Sequence, residues 1–110
     1  LIREPDSGTR RALERFLEEH GVAAGATMEL GSNETIKQAV MAGMGISFLS
    51  AHTFQVEQAA GLLAVLHLEG MPKMLDWCLL HRRDSILSGV NGAFRDFVLK
   101  HGAGLARCRL

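Results

Sequence analysis

A short polar segment near the start of the chain carries the residue types that bind anions. This segment, Asp6-Ser7-Gly8-Thr9 (the first loop), follows an apolar pair and leads into an amphipathic helix whose first turn contains Arg10. The first N–H groups of a helix have no partners inside the helix, and the helix dipole favours negative charge at that end. The hydroxyls of Ser7 and Thr9 and the planar cation of Arg10 add further donors. The sequence therefore predicts a place that holds a carboxylate or a phosphate.

Two more polar segments occupy the same position in the predicted order of elements. Gly31-Ser32-Asn33-Glu34 (the second loop) and Ser50-Ala51-His52-Thr53 (the third loop) each follow a strand-like run and precede a helix. Ligands of parallel α/β sheets bind beyond the carboxyl ends of the strands, so the three loops are expected to open on one edge. For a single loop, ordinary helix capping is the simpler interpretation. Three such loops together, with Arg10 beside the first, favour a binding edge.

The elements that must hold these loops alternate between apolar runs and amphipathic helices. Strands are predicted at residues 1–3, 26–30, 46–49, 62–68 and 76–81. Helices are predicted at residues 7–20, from the start signal at 31–33 to about residue 42, at 54–60 and at 86–101. This alternation predicts α/β layers with a mainly parallel sheet. Residues 103–110 are expected to form a frayed tail.

Length, charge and cysteine content exclude several classes of protein. The 110 residues suit one domain, 47% of them are hydrophobic, and the formal net charge is zero. A domain that binds DNA by itself usually has a basic patch, so this segment is not expected to bind nucleic acid. Cys78 and Cys108 lack metal-site spacing and are interpreted as reduced thiols. No apolar run reaches the ~18 residues of a membrane span. The chain starts inside a strand-like run, and we expect it to be part of a longer protein.

Signatures of catalysis are missing from the sequence. It has neither a Gly-x-Ser-x-Gly nucleophile elbow nor a phosphate-binding Gly-Lys-Ser/Thr loop. Gly43-Met44-Gly45 leads from a helix into a strand, which is the wrong direction for a dinucleotide fingerprint. No pair of carboxylates stands out for acid–base catalysis. We therefore expect a binding protein that has no catalytic residue, no metal site and no cofactor.

Three segments, residues 3–10, 29–37 and 40–50, resemble the effector-binding domain of LysR-type transcriptional regulators. Glu57, residues 61–63 and 70–72, and the late helix around Phe94 and Phe97 continue the resemblance to about residue 102. Within that family the chain looks most like the regulators of the RuBisCO operons of the Calvin cycle.

The resemblance implies a sensing region of two α/β subdomains, similar to type 2 periplasmic binding proteins, with an effector in the cleft between them. Residues 1–72 would form the second subdomain, and residues 73–102 would be a crossover strand and helix that belong to the first, ahead of a tail at 103–110. The residues that would line the cleft are Ser7, Gly8, Thr9 and Arg10, with Ser32 and Asn33 beside them.

The resemblance also implies partners and location. The effector would be a small anionic metabolite, such as a sugar phosphate or a nucleotide, and the protein would be cytoplasmic, with no membrane contact. DNA would be bound only through an N-terminal helix-turn-helix that this chain does not contain. The apolar run at 76–81 and the helix with Phe94 and Phe97 have apolar surfaces that must be buried against another element. The chain is therefore expected to dimerise or to fold that helix back on its own sheet. A full-length regulator would be a tetramer.

Two other interpretations share parts of this pattern. Half of a type 2 periplasmic solute-binding protein for transport would have the same fold, and an upstream signal peptide would favour it, whereas an upstream helix-turn-helix would exclude it. An enzyme that acts on a phosphorylated substrate is the third hypothesis, but the sequence has no visible nucleophile–base pair.

Overall fold

The computed structural model describes residues 1–107, and the chain divides into two compact units. The first unit is Leu1–Leu66 and the second begins at His67. The first unit contains the helices α1 (Gly8–Glu19), α2 (Asn33–Met41) and α3 (Gln55–Ala59), with a 3-10 turn at Ala51–Thr53 before α3. The second unit contains α4 (Gly89–Leu105).

The helices of the first unit begin and end at local sequence signals. Ser7 and Ser32 are the N-cap residues of α1 and α2, in extended backbone conformation. All three helices stop at a glycine with positive φ, 63° at Gly21, 76° at Gly43 and 72° at Gly61. After α1, for example, the N–H of Gly21 donates to the Glu18 carbonyl at 3.1 Å. Such a left-handed stop satisfies the last carbonyls of a helix, and glycine adopts it without a steric penalty.

Three apolar segments of the first unit lie side by side. Ile2 and Glu29 form a parallel β-bridge, in which the N–H of Ile2 donates to the Met28 carbonyl at 2.9 Å. On the opposite side of the first segment, the Leu1 amino group donates to the Ile46 carbonyl at 2.7 Å. The segment at residues 1–3 is therefore the middle one, and it runs parallel to the segment at 26–30, as the α/β pattern predicts.

No β-ladder forms within residues 1–107 at the predicted strands 46–49, 62–68 and 76–81. In this part of the chain, the expected sheet is reduced to the single bridge between Ile2 and Glu29. In the 76–81 segment, Trp77 and Leu80 are 82% and 86% exposed. A strand persists only when a neighbouring strand pairs with its N–H and C=O groups and its apolar face is covered. The described part of the chain provides no such neighbour for this segment.

The buried core of the first unit is small and comes from α1 and α2. Phe16 is buried on α1, and Ile36, at 0% exposure, and Ala39 are buried on α2. Leu13 and Val40 are half-buried, which confirms the inward faces that the helical periodicity predicts. One charged residue, Lys37, is buried beside them on α2.

Helix α4 begins and ends later than the predicted range 86–101. Ser88 is its N-cap residue in extended conformation, so residues 86–88 cannot belong to the helix. At the other end, the N–H of Ala106 donates to the Gly102 carbonyl at 2.8 Å, and the helix runs into the segment predicted as a frayed tail. Phe94 and Phe97 are exposed on it. The rest of the predicted tail, including Cys108, lies outside the described residues.

Candidate functional site

The structure brings the first and second loops to one edge of the first unit. The chain runs into the first loop after Ile2 and into the second loop after Glu29, and these two residues are paired in parallel. Parallel partners leave the pairing in the same direction, so the two loops open on the same edge. The third loop contacts α2, since Nζ of Lys37 lies 3.4 Å from the Thr53 carbonyl oxygen. The predicted meeting of the first two loops is confirmed, whereas a place for the third loop on the same edge stays a prediction.

Ser7 and Gly8 of the first loop lie where α1 begins. Ser7 is buried, with 8% exposure, and its side chain makes no capping hydrogen bond to α1. Its N–H instead donates to the Glu4 carbonyl at 3.0 Å, which closes the turn before the helix. A Cβ placed on Gly8 would meet no atom within 4 Å, so there is open space beside the helix start. Thr9 follows and is half-buried.

Arg10 is held by neighbouring groups through its Nε and Nη1 atoms. Its Nε donates to Glu14 at 2.7 Å, and its Nη1 donates to Glu29 at 2.8 Å and to the Arg3 carbonyl at 3.1 Å. The hydrogen bonds that Arg10 donates to Glu14 and then to Glu29 raise its pKa. The guanidinium predicted to meet an anionic ligand therefore already has two carboxylate partners, Glu14 one turn further along α1 and Glu29 near the end of the neighbouring segment.

Arg3 and Glu4 form a second ion pair at this edge, and sequence reasoning assigned neither a role at the site. Arg3 donates to the two carboxylate oxygens of Glu4, each at 2.7 Å, and its Nη1 donates to Oδ1 of Asn33. The hydrogen bond from Arg3 lowers the pKa of Glu4 to about 2. Both residues belong to the motif at 3–10, but the partner across the edge, Asn33, follows only from the fold.

Ser32 and Asn33 of the second loop have partners within the protein. Ser32 Oγ accepts the N–H of Thr35 at 3.0 Å and lies 2.8 Å from the Thr35 hydroxyl, so Ser32 is an N-cap in the ordinary sense. The side chain of Asn33 accepts from Arg3. The simpler interpretation, helix capping, therefore describes what Ser32 does in this structure.

Lys37 links α2 to α3. Its Nζ lies 2.6 Å from Glu57 of α3 and 2.7 Å from Glu34 of α2. Hydrogen bonds to Glu34 and then to Glu57 raise the pKa of Lys37. The hydrogen bond from Lys37 in turn lowers the pKa of Glu57. The sequence motifs contained Lys37 and Glu57, but no sequence signal indicated that they pair.

The chemistry at this edge is that of neutral donors and neutralised cations. Arg3, Arg10 and Lys37 each lie against at least one carboxylate.

Within residues 1–107, no three His, Cys, Asp or Glu side chains lie close enough to hold one metal ion, and Cys78 is an exposed free thiol. None of the described helices is both long enough and apolar enough to cross a membrane.

Comparison with known proteins gives one consistent family. Residues 1–103 match the LysR substrate binding domain. The chain is 49% identical over 104 residues to the HTH-type transcriptional regulator CbbR of Xanthobacter flavus, which covers 94% of this chain and 31% of that protein. It is 44% identical over 110 residues to the RuBisCO operon transcriptional regulator of Allochromatium vinosum, which covers 100% of this chain and 36% of the relative.

A third relative has a different name within the same class. The HTH-type transcriptional activator CmpR of Synechocystis sp. is 42% identical over 101 residues, covering 92% of this chain and 33% of that protein. The chain therefore spans about a third of the length of the curated relatives it matches. No solved structure matches it.

Proposed function

Because this chain belongs to the LysR substrate-binding domain family, we propose that it is the effector-sensing part of a LysR-type transcriptional regulator. The observation that carries the proposal is the family match over residues 1–103. Family membership also gives the fold type, that of type 2 periplasmic binding proteins. Three relatives are named as regulators of transcription, one of them of the RuBisCO operon. We propose carbon-fixation genes as the targets of the regulator that carries this chain.

The proposed site is a cleft between two subdomains, of which this chain supplies one wall. Residues 1–72 form the second subdomain in this proposal, and residues 73–102 supply a strand and helix to the first. The wall consists of Ser7, Gly8, Thr9, Arg10, Ser32 and Asn33. The open space beside Gly8 and the absence of a capping bond from the Ser7 side chain support the first loop as the main contact.

We propose a small anionic metabolite, such as a sugar phosphate or a nucleotide, as the effector. The start of α1 supports this choice, because helix N–H groups without internal partners bind anions. The protein would work in the cytoplasm as a homo-oligomer, dimeric for this chain and tetrameric for a full-length regulator, and would bind DNA through an N-terminal helix-turn-helix. It would not be an enzyme. The transport interpretation is not favoured, since the relatives named above are regulators of transcription.

A thermal-shift experiment on the full-length regulator that carries this chain tests the proposed function. Inorganic phosphate, ribose 5-phosphate, AMP and ATP are the probes, and at least one is expected to raise the melting temperature, because a ligand that binds only the folded state stabilises it. Thr9→Ala is expected to reduce that shift and to weaken induction of a reporter gene. Thr27→Ala, at an exposed residue outside the loops, is the matched control. If no probe changes the melting temperature and Thr9→Ala leaves induction intact, the site assignment is wrong.

A further inference from the structure

Two arginines from the start of the chain reach across to the second loop. Arg3 donates to the side chain of Asn33, within that loop. Arg10 donates to Glu29, two residues before the loop, and also to the carbonyl of Arg3. The two guanidinium groups are therefore linked through the backbone of Arg3. Each also donates to one residue of the neighbouring segment, Arg3 to Asn33 in the second loop and Arg10 to Glu29 just before it.

We propose that Arg3 and Arg10 are positioning residues of the effector site, which hold the second loop against the first and leave the binding of the anion to hydroxyl and backbone N–H groups. The proposal rests on the proposed function, since it concerns one wall of the same cleft. It also predicts that the groups of this wall that contact the ligand are neutral hydrogen-bond donors and that the charge of Arg10 does not take part.

Charge balance at the cluster supports this division of roles. Arg3 and Arg10 face the carboxylates of Glu4, Glu14 and Glu29, so acids outnumber bases there. An anion brought to Arg10 would have to compete with two carboxylates, whose oxygens lie 2.7 Å from its Nε and 2.8 Å from its Nη1. Charge-assisted hydrogen bonds from one guanidinium to two carboxylates fix the relative positions of all three groups, and such bonds can hold a loop in place.

The two carboxylate partners of Arg10 make the proposal testable, because only one of them connects the loops. Glu14 lies on α1, four residues after Arg10, whereas Glu29 lies beside the second loop. Glu29→Ala and Glu14→Ala each remove one negative charge next to Arg10. If Arg10 bound the anion directly, both substitutions would release its guanidinium and strengthen binding. If Arg10 positions the second loop, only Glu29→Ala removes the connection, and only Glu29→Ala weakens binding.

The experiment measures the affinity of the full-length regulator for inorganic phosphate by calorimetry, in the unaltered protein and in both variants. We expect Glu29→Ala to weaken binding by about threefold, in line with the strength of a partly exposed ion pair, and Glu14→Ala not to weaken it. Stronger binding in both variants overturns the proposal, and so does equal weakening in both. Melting temperatures identify any variant whose affinity changes because it is unfolded.

A second measurement needs no ligand, and it separates this proposal from the proposed function. Amide hydrogen exchange of residues 31–33 is expected to be faster in Glu29→Ala than in the unaltered protein, and unchanged in Glu14→Ala. If phosphate and the other probes do not bind the unaltered protein, the proposed effector class fails, while exchange still decides the role of Arg10. Unchanged exchange in Glu29→Ala overturns the positioning role.

Discussion

Glu4 shows how one contact sets the chemistry of a single side chain at this edge. Arg3 donates to both of its carboxylate oxygens, and that pairing lowers the pKa of Glu4 from an ordinary value of 4.5 to about 2. A carboxyl whose pKa is lower in the folded state stabilises the fold at pH values above its unfolded pKa. That contribution is lost as the pH falls through the folded pKa.

Glu4→Gln is therefore expected to lower the melting temperature at neutral pH and to have less effect as the solution is acidified. The difference from the unaltered protein decreases as the pH falls below 4.5 and is lost below pH 2, once Glu4 itself becomes protonated. Thermal melting at a series of pH values measures it. Glu18→Gln, at an exposed residue of α1, is the control for removal of a surface carboxylate and should leave the melting temperature nearly unchanged. A Glu4→Gln difference that is constant with pH would contradict the assignment.

At the scale of elements, the end of α1 depends on one backbone conformation. Gly21 has φ of 63°, and the N–H of Val22 donates to the Leu17 carbonyl at 2.9 Å across the turn. A side chain at such a position costs energy whatever the surrounding space, because its Cβ approaches the following carbonyl oxygen.

Gly21→Ala is expected to destabilise the fold by about 1 kcal/mol, measured by urea denaturation. Gly25→Ala is the matched control. Like Gly21, it has no atom within 4 Å of an added Cβ, but its φ is not positive. Equal effects at the two glycines would mean that the left-handed turn does not set the end of α1.

Two further elements, α2 and α3, are joined by an ion pair between a buried lysine and a half-buried glutamate. Lys37 of α2 has 8% exposure, and its Nζ lies 2.6 Å from Glu57 of α3. Removal of one member of such a pair leaves the other charge partly buried without its partner, which is costly. Replacement of both by apolar residues of similar size is often tolerated.

Lys37→Met is therefore expected to lower the melting temperature, and Lys37→Met with Glu57→Leu is expected to recover most of the loss. Thermal unfolding of both single variants and the double variant gives the interaction energy of the pair. Lys100→Met, at an exposed residue of α4, controls for the loss of a positive charge. Additive effects of the two substitutions would show that the pair does not join the helices.

At the scale of the whole molecule, the second unit exposes more apolar surface than its own elements cover. Trp77 and Leu80 are exposed before α4, and Phe94 and Phe97 are exposed on it. A groove of about 200 Å³ lies between residues 79–81, Leu87 and α4. Large apolar side chains exposed in this number favour a face that contacts another protein surface.

The 110-residue chain is therefore expected to self-associate, and Trp77→Ser with Leu80→Ser is expected to shift it toward monomer. Sedimentation velocity at several concentrations measures the association. Val56→Ser, at an exposed residue of α3, is the control. A monomer whose α4 amides are protected from hydrogen exchange would leave only the folded-back arrangement. A monomer with unprotected α4 amides would contradict both self-association and the folded-back arrangement.

Local signals explain which parts of the fold were predictable. Ser7, Ser32 and Gly21 act within one helical turn, so their positions in the sequence are enough to place the starts of α1 and α2 and the end of α1. The strands at 62–68 and 76–81 were predicted from apolar composition, but a strand also needs a partner, which composition does not supply.

The sequence by itself determined the starts of α1 and α2, the end of α1 and the family, because capping, periodicity and ordered motifs are properties of neighbouring residues. Only the tertiary structure decided the partners of the cations at that edge. Arg10 meets Glu29 from 19 residues away and Arg3 meets Asn33 from 30, and such pairs exist only once the parallel bridge has brought the two segments together. Arg10, which the sequence presented as an anion-binding cation, is in the folded chain a cation already neutralised by acids.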